Sequence, residues 1–307
     1  MYNIEGLLIL SISILLLLPI LDINPYFVHI IILSTMFAVM AAGWNMLAIA
    51  GPVSLGHATF FGLGAYFTYF SLTSGNISSY VALLVSVGVA LTITIPVGYI
   101  TFRFGITGIY FALVTIAFAE VLRQLFISLR EITGGSLGVS LFLKEQSYLH
   151  FIFDSKMPYY YLVISIFLTI FLINKLALNR FLKILTVIGN DELTAASMGI
   201  NILKYKLLAF ALSSIVNSIM GWFYIHYLRY ITPDVAFGLL TSVEIIIIGI
   251  LGMLNFAGIF FASLFIIPLG EVLRAALGGV YAGLNIFIYG LILLLLVIIR
   301  SIRIGKR

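Results

Sequence analysis

Few residues in this chain could do chemistry, and the densest group of them is the segment Gly51–Phe67, with the sequence GPVSLGHATFFGLGAYF. It carries Ser54 and His57 inside a chain that is otherwise rich in Leu, Ile, Val and Phe. Hydrocarbon offers no hydrogen bonds to an irregular backbone, so such a segment must be buried in protein or line a wet cavity. It therefore predicts a membrane protein with a polar interior, in which Ser54 and His57 are candidates for touching a solute.

Enzymatic chemistry finds little support in the sequence. The four histidines have no metal-ligand spacing, and the chain contains no Cys. No G-x-x-x-x-G-K-[ST] segment is present to hold the phosphates of a nucleotide. We therefore expect no catalytic residue, no metal and no cofactor bound by this chain.

The composition is that of a membrane protein. Hydrophobic residues make up 63% of the 307 and charged residues only 9%, whereas a soluble domain carries roughly 25% charged residues. The apolar blocks are long and continuous, which indicates helices rather than barrel strands. The net charge of +5 does not indicate nucleic-acid binding, because the basic residues lie at the ends of apolar segments.

A membrane-spanning helix needs about 20 apolar residues, and the chain holds a series of such segments. They predict an all-α, polytopic transmembrane bundle of about 8–10 spans, with residues 1–307 in a single domain. The glycines of 53–71 also allow an alternative, in which this segment is re-entrant and does not cross the membrane. The candidate segments are 6–21, 28–49, 53–71, 80–101, 108–129, 158–177, 207–228, 238–253, 257–274 and 280–299.

Two polar connections between spans stand out, at about 130–157 and about 178–206. Lys and Arg are concentrated on the side of the membrane that holds 178–206, and cytoplasmic loops are the basic ones. We therefore expect a multi-pass protein of the plasma membrane with both termini in the cytoplasm. The 178–206 connection is then cytoplasmic and the 130–157 connection external.

The cytoplasmic connection is predicted to carry a short helix. Asn190 is placed to cap it, Asp191 and Glu192 lie in its first turn, and Gly199 is a plausible C-terminal stop. Glu192, Ala195, Ala196 and Gly199 follow the spacing E-x-x-A-A-x-x-G, which gives a small-residue face that another protein could approach closely. An ordinary solvated connector helix is the alternative interpretation.

Charges and glycines inside the spans suggest further candidates. Glu120 and Arg123 lie three residues apart, so they share a helix face and can pair. Glu244 enters an apolar run, where ionisable groups tend to face the bundle interior or to cap a helix. The remaining candidates are small residues that allow close helix packing or line a path: Gly56, Gly62 and Gly64.

Several motifs in order carry a resemblance to a known family. They are GPVSLGHATFFGLGAYF, GITGIYFALVTIAFAEVLRQL at 105–125, TGGSLG at 133–138, GNDELTAASMGINILKYKLLAFALSS at 189–214 and ITPDVAFGLLTSVEIIIIGILG at 231–252. Together they resemble permease subunits of branched-chain amino-acid ABC transporters, of the LivM type. The similarity covers most of Gly43 to Gly252, and beyond it GMLNFAGIF departs from the family's Gly-rich segment.

The resemblance implies a fold like that of type II ABC importer permeases and a division of labour among subunits. A second related permease would pair with this chain in the lipid bilayer, and two cytosolic ATPase subunits would supply ATP and Mg²⁺ chemistry. An extracytoplasmic binding protein would deliver the substrate. The coupling helix seated on an ATPase would be formed by Asp191, Glu192, Ala195, Ala196 and Gly199.

Two other functions fit parts of the same sequence. A permease of the same family could carry urea or short amides instead of branched-chain amino acids. A secondary carrier driven by an ion gradient could use the intramembrane charges as a relay. Such a carrier has no need of an exposed cytoplasmic docking helix, and this favours the ABC permease.

Overall fold

The computed structural model describes residues 6, 8, 11, 24–74, 77–142, 150–252, 254–277, 290, 291 and 294, with the backbone alone at 74 and 273–277. The predicted spans 6–21 and 280–299 therefore lie mostly outside the described residues. The eight predicted spans between them each overlap a described helix.

Twelve α-helices occur in the part of the chain that the structure describes between Pro25 and Leu277. The first six are α1 (Pro25–Ala48), α2 (Ala58–Ser74), α3 (Ser79–Arg103), α4 (Gly108–Ser128), α5 (Arg130–Thr133) and α6 (Met157–Leu176). The others are α7 (Asn179–Asn190), α8 (Glu192–Ser197), α9 (Ile202–Leu228), α10 (Pro233–Phe237), α11 (Leu239–Leu251) and α12 (Phe256–Leu277). A 3₁₀ turn covers Gly135–Leu137, and two short strands, β1 (Val139–Ser140) and β2 (Tyr230–Ile231), pair antiparallel.

Six described segments are long and apolar enough to cross a membrane: 25–48, 79–103, 108–128, 157–176, 202–228 and 233–251. The last of these combines α10 and α11, which meet at Gly238. Helix α2 is shorter and is enclosed by its neighbours. The all-α, multi-pass fold that the sequence predicts is confirmed. The predicted cytoplasmic end of the bundle carries α7 and α8, and the predicted external end carries α5 and the two strands.

The bundle is built around α1, α2 and α9. Helix α9 packs against α1, α2 and α3, and α1 also contacts α6, α11 and α12. Helix α3 approaches α9 closely because the residues on its buried face are all small, which lets backbones come near one another. These residues recur every three or four positions: Ser79, Ala82, Ser86, Ala90, Thr94, Gly98 and Thr101.

The ends of the helices follow the local sequence. Pro25 begins α1, where its missing N–H costs nothing, and the Asn24 side chain accepts a hydrogen bond from the Tyr26 N–H at 2.9 Å. Helix α9 begins at Ile202, five residues before the predicted start, because the Asn201 side chain caps it through the Lys204 N–H at 3.0 Å. In the TGGSLG segment, which is predicted to be external, Gly134, Gly135 and Gly138 all have positive φ angles, as a tight turn requires.

Candidate functional site

The segment Gly51–His57 is irregular backbone that begins at the surface, where Gly51 and Val53 are exposed, and is buried at Gly56 and His57. The predicted span 53–71 is therefore corrected: its helix begins only at Ala58. Neighbouring helices supply the hydrogen bonds that the segment cannot make to itself, as irregular backbone at membrane depth requires. Trp44 Nε1 donates to the Ser54 carbonyl at 2.9 Å, the Leu55 N–H donates to Thr115 Oγ1 at 3.0 Å, and the Ala58 N–H donates to Ser242 Oγ at 3.0 Å.

His57 lies at the end of this segment and is fully buried. Its Nε2 is hydrogen-bonded to the hydroxyl of Ser213 on α9, and its ring contacts Phe60 and Phe210. Its Nδ1 and the buried Ser54 hydroxyl have no hydrogen-bond partner among the described residues. This environment makes His57 a link between the irregular segment and α9. A role for Ser54 or His57 in touching a solute stays a prediction.

The glycines that follow lie where backbones nearly touch. A Cβ on Gly56 would stand 2.0 Å from the Thr115 carbonyl oxygen, and one on Gly64 would stand 2.2 Å from that of Ser218. On Gly62 it would stand 2.6 Å from the Ala236 carbonyl oxygen. No real Cβ fits at these distances, so each glycine is required by the packing of α2, or of the segment before it, against another helix.

The predicted pair on α4 forms and has a third member. Arg123 donates to both carboxylate oxygens of Glu120, at 2.7 and 2.8 Å, and to Asp234 on α10 at 2.6 Å. Both carboxylates are exposed, so this network lies at the surface of the chain, in the predicted external half of α4. It ties α4 to α10. Sequence reasoning missed Asp234, since 111 residues separate it from Arg123.

Glu244 on α11 faces a cavity of about 410 Å³. Asp234, Glu271 and His29 line the same cavity, together with apolar side chains of α1 and α2. The cavity lies toward the predicted external end of the bundle. It brings Glu244 and Asp234 together, whereas Ser54 and His57 lie elsewhere, so the predicted path residues do not form one cluster.

A second histidine–serine pair was not predicted. His226 near the end of α9 is hydrogen-bonded through Nε2 to Ser79 Oγ at 2.7 Å and through Nδ1 to the Trp222 carbonyl at 2.7 Å. Trp222 Nε1 donates to the Ser79 carbonyl at 2.9 Å. The His57–Ser213 pair joins α9 to the irregular segment, and the His226–Ser79 pair joins α9 to α3. The only sequence signal was a histidine inside an apolar span.

The 178–206 connection, predicted to be cytoplasmic, contains two helices rather than one. Helix α7 was not predicted, and it ends at Asn190, so the expected role of Asn190 as N-cap is corrected. Asp191 is the N-cap of α8: its carboxylate accepts from the Leu193 N–H at 2.9 Å and from Thr194 Oγ1 at 2.5 Å. The hydrogen bond from the Thr194 hydroxyl, and to a smaller extent the one from the Leu193 N–H, holds the pKa of Asp191 below its ordinary value. Gly199, with φ +78°, ends the helix as expected.

The exposed face of α8 differs from the predicted small-residue face. Ala195 is fully buried, which corrects its expected place on a docking surface, while Ala196 and Gly199 are exposed. The large side chains that point outward are Leu193, 83% exposed, and Met198, 67% exposed. The exposed surface of α8 and the turn after it is therefore formed by Leu193, Ala196, Met198 and Gly199. Leu193 and Met198 are visible in the sequence as apolar residues in a polar connection.

Glu192 contacts the bundle, although its side chain is 44% exposed. Its carboxylate accepts a hydrogen bond from Lys206 Nζ at 2.5 Å, and Lys206 on α9 is only 3% exposed. Lys206 also lies 6.0 Å from the centre of the Phe102 ring. This ion pair ties α8 to the central helix of the bundle. The sequence analysis placed Lys206 in the 178–206 connection, just before the predicted span 207–228, and so did not predict this pair.

A multi-pass helical bundle with irregular, partly buried backbone is typical of membrane transport proteins. The chain belongs to the family described as branched-chain amino acid transport system / permease component, which matches residues 26–299. Membership in a permease family confirms the predicted class: a multi-pass transport component of the plasma membrane rather than an enzyme.

Two curated relatives carry the description high-affinity branched-chain amino acid transport system permease protein LivM. The chain is 23% identical to the one from Escherichia coli, over 80% of this chain and 63% of that protein. It is 24% identical to the one from Salmonella typhimurium, over 73% of this chain and 58% of that protein. The chain thus spans about three fifths of the length of these relatives. No solved structure matches it.

Proposed function

We propose that the chain is the membrane subunit of an ATP-driven importer and forms part of the path for branched-chain or other small amino acids. It would pair with a second related permease, receive substrate from an extracytoplasmic binding protein and dock on two cytosolic ATPase subunits that bind ATP and Mg²⁺. Family membership and the description of the two relatives as branched-chain amino acid permeases support the substrate class.

The arrangement of α8 is the observation on which the proposed coupling role rests. Leu193 and Met198 present an apolar face to solvent at the predicted cytoplasmic end, while Glu192 on the other side of the same helix holds Lys206 of α9. A partner that docks on the outer face would therefore displace an ion pair anchored in the bundle. A connector with no partner would gain nothing from exposing two large apolar side chains.

Helix α9 would carry that displacement inward. Ser213, two turns beyond Lys206, holds His57 at the end of the irregular segment, and Ser218 packs on Gly64 of α2. A shift of α9 would therefore move the segment Gly51–His57, where the bundle interior is most polar. In this proposal Ser54 and His57 lie near the solute path, and the charges of Glu120, Arg123 and Glu244 lie toward its external side.

The proposal is tested with the chain and its partner subunits reconstituted in liposomes. Uptake of leucine should require ATP and should persist when a protonophore removes the ion gradient. Uptake that needs the ion gradient and not ATP would indicate a secondary carrier. Uptake of urea but not of leucine would indicate a permease for urea or short amides.

A matched pair of variants isolates the docking face. Leu193→Glu should abolish co-purification of the ATPase subunits and ATP-dependent uptake, while the chain stays inserted in the membrane. Thr186→Glu, at an exposed position of the neighbouring α7, should leave both unchanged. Equal behaviour of the two variants would contradict the assignment of α8 as the docking helix.

A further inference from the structure

The ion network of Glu120, Arg123 and Asp234 lies deep inside the thickness of the bundle. At the predicted cytoplasmic end, Phe111 of α4 stacks on Phe102, the last residue but one of α3, with ring centres 5.3 Å apart. Measured along α4, Arg123 lies about 18 Å beyond Phe111. Helix α3 has 25 residues and is about 37 Å long, so the network lies about halfway along it.

The contacts of α4 with α2 give the same depth from the other end. The ring centre of Phe126 lies 4.7 Å from that of Tyr66. Tyr66 is about 12 Å below Ser74, where α2 ends at the predicted external side. Arg123 precedes Phe126 by almost one turn of α4 and therefore lies deeper still.

The network is nevertheless open to the outside of the chain. The side chain of Asp234 is 64% exposed and that of Glu120 is 51% exposed. Ionisable groups at this depth are costly against hydrocarbon, so they face protein or a water-filled path and mark the routes of substrates. In the assembled transporter this surface therefore borders a hydrated space rather than lipid. Under the proposed function, that space is the path that the second permease helps to enclose.

The network keeps hydrogen-bonding capacity for a ligand. A guanidinium has five N–H donors, and Arg123 uses three of them, two to Glu120 and one to Asp234. One N–H remains on each of its terminal nitrogens. Asp234 accepts this bond on Oδ1, and its Oδ2 accepts none from the residues that the structure describes. Two carboxylates share one guanidinium, so the network carries a net charge of about −1.

Asp234 also lines the cavity of about 410 Å³ that contains Glu244. Phe61, Leu240 and Ile267 belong to the apolar part of the lining of this cavity. A ligand whose polar head lies at Asp234 can therefore place an aliphatic side chain against apolar residues.

We propose that Asp234 and Arg123 bind the zwitterionic head group of the transported amino acid, an assignment that rests on the proposed function. The α-ammonium would pair with Asp234 Oδ2, and the α-carboxylate would accept the two remaining N–H groups of Arg123. The aliphatic side chain would extend into the cavity. The site would then select an amino acid over a simple amine, a carboxylic acid or an uncharged amide.

The first test measures binding by thermal stabilisation of the complex of this chain with its permease and ATPase partners, with the binding protein left out. Leucine should reach half of its effect at a concentration at least tenfold lower than 3-methylbutylamine, which lacks the carboxylate. It should show the same advantage over 4-methylpentanoate, which lacks the ammonium. Equal half-effective concentrations for leucine and either analogue would overturn the proposal.

Two carboxylate removals give the matched comparison. Asp234→Asn keeps an acceptor for Arg123 but loses the charge, so it should raise the half-effective concentration of leucine at least fivefold and leave that of 4-methylpentanoate within twofold. Glu131→Gln, at an exposed position of the neighbouring α5, should leave both within twofold. An equal shift for leucine and 4-methylpentanoate in Asp234→Asn would show that Asp234 is structural only.

Single cysteines test the hydrated space without altering the network's charges, since the chain has no Cys of its own. Gln124→Cys, beside Glu120 on the exposed face of α4, should react with a membrane-impermeant thiol reagent in liposomes, and leucine should slow the reaction at least threefold. Ser165→Cys, at an exposed position midway along α6, should react at least tenfold more slowly. An unreactive position 124, or one that leucine does not protect, would overturn the proposal even where Asp234→Asn fails to fold.

Uptake by the unmodified complex separates this inference from the proposed function. If ATP drives leucine uptake but leucine neither protects position 124 nor binds better than its analogues, the head-group site alone is wrong. If leucine uptake does not require ATP, the proposed function is wrong.

Discussion

Lys206 Nζ lies 2.5 Å from a carboxylate oxygen of Glu192, and this contact joins a surface helix of six residues to the longest helix described in the bundle. Lys206 is 3% exposed and Glu192 is 44% exposed. The charge of the lysine is therefore taken out of water, while that of the glutamate remains partly hydrated. A pair of this kind is sensitive to the position of α8, since the lysine depends on it for a counter-charge.

Removal of the Glu192 charge should destabilise the chain. Glu192→Gln leaves the buried ammonium of Lys206 without a counter-ion, and such a loss costs about 3 kcal/mol. The double variant Glu192→Gln with Lys206→Met removes both charges and should recover most of that stability. Thermal unfolding in detergent, followed by the fluorescence of Trp44 and Trp222, measures the difference.

The same double variant separates folding from coupling. If the pair transmits motion, the double variant should be stable and should dock its ATPase subunits, but its ATP hydrolysis should no longer drive uptake. Normal uptake by the stable double variant would show that the ion pair is structural only.

The fold was predictable wherever apolar residues run without interruption. The spans 80–101, 108–129 and 158–177 coincide with α3, α4 and α6 to within two residues at either end. Helix α2 was placed too early because Gly51, Pro52 and Gly56 mark the segment as irregular but do not fix the residue at which the helix begins. Trp44, Thr115 and Ser242, which hold that segment, come from three other helices.

The candidate residues were predictable by type but not by partner. His57 and Arg123 stood out because polar groups are rare in such spans. Their partners Ser213 and Asp234 lie 156 and 111 residues away, and no local pattern connects them. On α8 the capping position was misplaced by one residue because Asn190 and Asp191 are both good caps, and only the end of α7 distinguishes them.

Gly64 should not tolerate a methyl group. Gly64→Ala would place Cβ 2.2 Å from the Ser218 carbonyl oxygen, so the backbones of α2 and α9 must separate, at a cost of about 3 kcal/mol. Gly88→Ala is the control, because a Cβ at this exposed position of α3 meets nothing within 4 Å. It should be neutral or stabilise the chain by up to about 1 kcal/mol. Melting temperatures in detergent test both, and a Gly64→Ala chain as stable as the control would refute the close packing.

The hydrogen bond between His57 and Ser213 should contribute more to stability than the hydrogen bond made by the adjacent Ser214 hydroxyl. Ser213→Ala leaves the buried Nε2 of His57 unpaired, which costs roughly 1–3 kcal/mol. Ser214→Ala, one residue along α9, loses only a local bond to the Ala211 carbonyl and should cost less than about 1 kcal/mol. Denaturation of the two variants side by side measures the contrast, and equal losses would argue against a strong His57–Ser213 bond.

The cap of α8 should be insensitive to pH over the neutral range and weaken only in acid. Because the pKa of Asp191 is lower in the folded chain than in the unfolded one, its stabilising effect is fully present above the unfolded pKa of about 3.9 and is lost as the pH falls through the folded value. Hydrogen exchange of residues 192–198, corrected for intrinsic rates, should therefore be constant from pH 5 to 8. Asp191→Ala should speed that exchange throughout the range, whereas Asp191→Asn, which still caps, should change it less. A pH dependence near neutrality in the unmodified chain would show that a group other than Asp191 controls the order of α8.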